Sequence, residues 1–209
     1  MTTSLDRLIG IGGQALGLAA DVNLVTDESM LGGDLRDLLG RKNGFYAFES
    51  ALHVLPARSC GGEIGLTEWN SPGLWIEAYK GMASGCVFFA EDVFGGQFCI
   101  KSNKICSFDP ETGALQDVAE DMEGWARSIL ADYDFMTGYS LCHEWQRVNG
   151  RLNSGLRLVP KVPFVAGGKF NVQNLHVIEA VKGMRLRGQI ALQIKDIPDG
   201  EQIKLKIVE

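Results

Sequence analysis

Cys86-Val-Phe-Phe-Ala-Glu-Asp-Val-Phe-Gly-Gly-Gln-Phe-Cys-Ile100 is the stretch that decides the fold. Cys86 to Ala90 is a nearly continuous apolar run, as expected of a strand buried on both faces. Gly95 and Gly96 supply backbone freedom for a turn, and Gln97 to Ile100 resumes a strand. The stretch therefore reads as a central β-hairpin. Glu91 and Asp92 fall between its strands, where they form an acidic loop on a stiff support.

Segments on either side extend this reading. Upstream, Asp34 to Leu39 places Leu35, Leu38 and Leu39 at helical spacing, with Asp34 as cap and Gly40 as stop. Asn43-Gly44 turns the chain into Phe45 to Phe48, and Leu52 to Pro56 follows as a strand. Leu74 to Tyr79 alternates as a further strand. Downstream, Lys104 to Phe108 is a strand and Asp109-Pro-Glu-Thr-Gly113 a tight turn. A helix then begins at Glu120, with Met122, Trp125, Ala126, Ile129 and Leu130 on one face. A second helix covers about Thr137 to Asn149.

Four of these pieces, in this order, carry a family resemblance. Phe89-Ala-Glu-Asp-Val-Phe-Gly-Gly-Gln-Phe98 is similar to the acidic signature between two central strands of the SUKH (Smi/Knr-like) superfamily. Leu38 to Phe48 resembles the entry segment of that family. Ile105 to Gly113 resembles its turn, and Asp121 to Leu130 its closing helix. The resemblance spans roughly residues 35 to 131. It implies an α+β fold with a mixed or largely antiparallel sheet flanked by helices. It also implies a bacterial immunity protein, which binds and blocks a cognate toxin, often a nuclease.

Three regions are expected. Residues 1–33 form an N-terminal arm or weak helix, 34–150 the SUKH-like core, and 151–209 a β-rich extension that could pack on the same sheet. In that extension Asn174 to Ala180, Gln189 to Ile194 and Gln202 to Val208 read as strands.

Composition narrows the function. Residues 87–136 carry 3 basic and 10 acidic side chains, whereas residues 137–209 carry 11 and 6. An acidic centre disfavours nucleic acid, because phosphate binding needs clustered Lys and Arg. It favours a basic protein partner. The five cysteines form no C-x-x-C pair, and three lie within apolar strands, which is the usage of a reducing, cytoplasmic environment. No apolar run reaches the roughly 20 residues needed to span a bilayer. Gly10 to Ala15 imitates a dinucleotide fingerprint without the strand that must precede it.

No catalytic set is legible. Adjacent carboxylates on an extended chain point to opposite sides, so Glu91 and Asp92 alone cannot flank a bond. Cys60 has no identifiable base. His53, His143 and His176 have no metal-ligand spacing, and neither a metal nor a cofactor is expected. The expectation is a non-catalytic, cytoplasmic protein that neutralises a toxin. Glu91 and Asp92 would supply charge, and Trp69 and Trp75 apolar contact. Two alternatives stand beside it: a regulatory or scaffold module with an endogenous partner, and a hydrolase whose site is dispersed in the sequence.

Overall fold

A computed structural model describes residues 2–19, 30–198, 200–201 and 204–206. Its centre is a six-stranded antiparallel meander in sequence order, β1 (Phe45–Ala47), β2 (Leu52–Val54), β3 (Val87–Asp92), β4 (Gln97–Lys101), β5 (Lys104–Phe108) and β6 (Leu115–Ala119). The α+β class with an antiparallel sheet is as expected. Each strand pairs with the next, so every connection in this sheet joins antiparallel neighbours.

The apolar run of β3 is buried on both sides. Phe89 packs edge-on against Trp125 of helix α4 (Met122–Ala131). Phe88 meets Trp75 on the opposite face. Asp121 caps α4 by accepting from the Gly124 N–H at 2.6 Å, and Met122, Trp125, Ala126 and Ile129 are buried at the spacing the sequence predicts. Helix α1 (Ser4–Ile11) and helix α2 (Met30–Arg41) pack against α4. Thr3 and Asp6 close a capping box on α1, and Leu5 and Leu8 are buried, so this part of the expected arm is a docked helix. Because α2 starts before Asp34, that residue lies inside the helix and does not cap it.

The other face of the sheet is covered by a short helix α3 (Leu66–Trp69), a 3-10 turn at Ile76–Tyr79 and a long helix α7 (Ala180–Ile194). Two expected strands are corrected here. Leu74 to Tyr79 is not a strand: Trp75 and Tyr79 are four apart, a spacing that suits a helical face as well as alternation, and both turn inward on Phe108. Gln189 to Ile194 lies in α7, whose buried Met184, Arg187, Gly188 and Ala191 recur at three and four. The strand reading took too short a window to see that period. At Gly188 a Cβ would stand 3.0 Å from Ala78, so glycine lets α7 approach the 3-10 turn closely.

The region after residue 150 is therefore not β-rich. It holds β7 (Leu156–Pro160) and β8 (Leu175–Glu179), which form their own two-stranded sheet, followed by α7. It also packs tightly on the core, since the Leu158 N–H donates to Val93 O at 2.9 Å. The helix expected at about Thr137 to Asn149 is α6 (Tyr139–Asn149), and a short helix α5 (Tyr133–Thr137) precedes it, separated from it by Gly138 with φ +70°. The strand expected at Gln202 to Val208 lies largely outside the described residues, and 204–206 have no regular structure.

Candidate functional site

Three of the four side chains expected to grip a partner lie inside the protein, and Asp92 is half-buried. Glu91 is 2% exposed, and Trp69 and Trp75 are each 1% exposed. Strand β3 continues through Asp92, so Glu91 and Asp92 belong to the strand and the turn lies beyond them, at Val93 to Gly96. Asp92 closes that turn. Its Oδ1 accepts from Phe94 N–H at 2.8 Å and Gly96 N–H at 2.7 Å. Glu91, Trp69 and Trp75 are buried and cannot form the binding patch expected of them, whereas Asp92 lines an open cleft. The reason is register: with the turn two residues later, Glu91 falls on a covered face.

Glu91 is the centre of a polar row that crosses four strands. The register aligns Tyr46 with His53, His53 with Glu91, and Glu91 with Gln97. Glu91 Oε1 lies 3.0 Å from His53 Nδ1 and 2.6 Å from Arg157 Nη2, and Gln97 Nε2 donates to Oε2 at 3.2 Å. Trp69 Nε1 donates to Gln97 Oε1 at 2.8 Å, which fixes the amide. Tyr46 stacks on His53 at 4.3 Å between ring centroids and donates its hydroxyl to Glu63 at 2.9 Å. Arg157 comes from β7, so the region after residue 150 supplies the counterion of the central strand. Sequence reasoning missed both partners. The available signals were a polar residue inside each of the apolar triplets Leu52-His53-Val54 and Leu156-Arg157-Leu158.

The electrostatics follow from burial and pairing. Burial penalises the Glu91 carboxylate, but Arg157, His53 and Gln97 outweigh it and hold its pKa down at about 2. Burial chiefly keeps His53 below the usual imidazole range, with Arg157 adding to the effect. An ionised carboxylate only accepts, so neutral His53 carries its proton on Nδ1 and presents a bare Nε2. This is an imidazole oriented by a carboxylate, the form of a positioned base.

A second feature is open to solvent. A cleft of about 640 Å³ runs from the β3–β4 and β5–β6 turns toward β6, and Asp92, Asp109, Glu111 and Asp117 line it. Phe135, 84% exposed, and Phe170, 67% exposed, stand on its walls. Phe170 stacks on Phe164 at 3.9 Å, and Phe164 meets Phe94 edge-on. Glu111 is buried, accepting from Val165 N–H at 2.8 Å, while Arg187 reaches Phe94 O and Gly183 O beneath the cleft.

Burial pushes the Asp92 pKa up to about 7, against the pull of Gly96 N–H and Arg187. The folded value lies above the unfolded one of about 3.9, so the folded state binds the proton more tightly. The resulting stability is full below pH 3.9 and is lost as pH rises through 7. Asp92→Asn removes this term and keeps the acceptor in the turn. The stability of the wild type relative to Asp92→Asn should therefore rise as pH falls from about 8 to about 5, read by thermal melts. His53, whose depressed pKa acts in the opposite sense over this range, is present in both proteins and cancels in the comparison. A pH-independent difference would refute the assignment.

None of the five cysteines forms a disulfide. Among the described residues no helix is long and apolar enough to cross a membrane, and no group of three or more His, Cys, Asp or Glu side chains is arranged to hold a metal ion. No family model matches the chain, and no curated protein matches it. Among solved structures it is similar to Atu4351 from Agrobacterium tumefaciens, with a TM-score of 0.53 over 87% of this chain and 86% of that one. At 11% identity this likeness is one of fold.

Proposed function

We propose that this protein acts without catalysis, binding a basic protein toxin and neutralising it. The observation that carries the reading is the open cleft, where acidic side chains and two exposed phenylalanines share one surface. Exposed aromatics framed by polar groups are the composition of a protein interface, and large side chains of this kind supply most of its energy. Asp121, Asp132 and Asp134 are also exposed, whereas Lys104 pairs with Asp117 and Glu120. Such a surface complements the basic channel in which a nuclease receives its substrate. The resemblance of residues 35 to 131 to the SUKH superfamily supports the same class of partner. Asp92 lines the cleft, whereas Glu91, Trp69 and Trp75 have no direct part in this contact. They build the framework on which the cleft stands.

The test is protection in cells. A toxin encoded beside this gene, which arrests growth when expressed alone, should be tolerated when this protein is co-expressed. Phe135→Ser with Phe170→Ser should abolish protection and weaken the purified complex by 10²-fold or more, on the order of 2 kcal/mol for each lost anchor. Both side chains are exposed, so the thermal midpoint should hardly move. Undiminished protection by that double variant would refute the cleft as the binding face.

A further inference from the structure

We infer that the pocket beside the polar row binds a small organic cation of the aliphatic-amine class, held by N–H donation to His53 and Glu63. This pocket is separate from the proposed toxin-binding cleft. It has a volume of about 250 Å³ and is lined by His53, Glu63, Glu91 and Trp69, with Glu179 at its rim. His53 is 3% exposed, and its Nε2 has no hydrogen-bond partner among the described residues. Buried polar atoms are almost always partnered, so an orphan on a residue that lines a pocket marks the place of a missing donor.

The group opposite cannot be that donor. Glu63 Oε2 stands 3.8 Å from His53 Nε2, and it already accepts from the Tyr46 hydroxyl. Two acceptors thus confront each other, and neither carries a proton to share. A nitrogen placed about 2.9 Å from each, with two N–H bonds, satisfies both at once. Burial keeps the imidazole neutral, which preserves the lone pair for this purpose.

Charge then selects among possible donors. Glu63, Glu91 and Glu179 bring three carboxylates to the pocket, and Arg157 balances one of them through its contact with Glu91. The remaining negative charge favours an ammonium over water or an alcohol, because a hydrogen bond with an ionised donor and acceptor is roughly twice as strong. Trp69 supplies an aromatic wall suited to the alkyl part of a small amine.

The experiment is a titration of the His53 ring resonances with methylammonium chloride, with sodium chloride at equal ionic strength as control. Saturable movement of the His53 signals is expected with methylammonium alone. Glu63→Gln should weaken binding about tenfold, the effect of losing one charge-assisted hydrogen bond. Glu179→Gln should weaken it about threefold by loss of rim charge. The Glu179 side chain makes no capping hydrogen bond, so this variant tests the site even where Glu63→Gln folds poorly. Tetramethylammonium carries the charge without an N–H bond and should not compete. The inference is overturned if the His53 shifts match the sodium chloride control, if tetramethylammonium competes equally, or if both variants bind as the wild type does.

Discussion

Replacing Glu91 by alanine should destabilise the protein by about 3–5 kcal/mol, the cost of leaving a buried charge without its partner. Arg157 is 1% exposed, and its Nη2 meets Glu91 Oε1 at 2.6 Å, so removing the carboxylate strands a guanidinium where water cannot reach. His53 Nδ1–H and one Gln97 amide proton lose their acceptor at the same time. In urea the midpoint should fall without a large change in slope. Glu91→Leu combined with Arg157→Met should recover most of the loss, because an apolar pair of similar volume carries no unpaired charge. A double variant no more stable than Glu91→Ala would show that the pair is not the main term. The pH dependence has a definite sign. The Glu91 pKa lies at about 2 when folded, against about 4.3 in the unfolded chain. Its contribution is therefore complete above pH 4.3 and disappears as pH falls toward 2. Glu91→Gln should flatten that part of the acid denaturation curve.

How much of this was legible in the sequence depends on the range of the interaction. The apolar run before Glu91 and the glycines after it define a hairpin by local rules, and the structure has one there. Helix α4 is likewise local, since its buried face repeats every three to four residues and Asp121 caps it. The fate of Glu91 is not local. Its burial depends on where the turn begins, and a displacement of two residues moves it from an exposed loop to a covered strand face. Its neutralisation depends on Arg157, which reaches it from another sheet. No rule of spacing links those positions. Trp69 and Trp75 show the same limit, because an aromatic residue beside turn chemistry suits either a rim or a core. The cleft was only half legible: the acidic middle of the chain was plain, but Phe135 and Phe170 acquire meaning only once the fold brings them to one surface.

The two buried tryptophans should respond differently to the same change. Trp75 packs against Trp69, Tyr79, Phe88 and Phe108, with centroid separations of 5.6, 5.6, 4.8 and 6.3 Å. Truncation to alanine at this position should cost about 3–5 kcal/mol through lost burial and the cavity left behind. Over a chain of this length that lowers the thermal midpoint by on the order of 10 °C. Phenylalanine is the sharper probe. The Trp75 indole N–H is buried with no acceptor among the described residues, whereas the Trp69 indole N–H donates to Gln97. Trp75→Phe loses some volume and also removes an unsatisfied donor, two effects that oppose one another. Trp69→Phe loses volume and leaves the Gln97 carbonyl without its partner, which loosens the amide that supports Glu91. The second substitution should therefore be more destabilising than the first by about 1–2 kcal/mol, measured by urea unfolding. Equal losses, or the reverse order, would mean that the Trp69–Gln97 bond does not hold the row in place. The same pair of variants also tests whether framework and binding face are separate. Both should protect cells as well as the wild type at temperatures where they remain folded, since neither ring reaches the surface that Phe135 and Phe170 present.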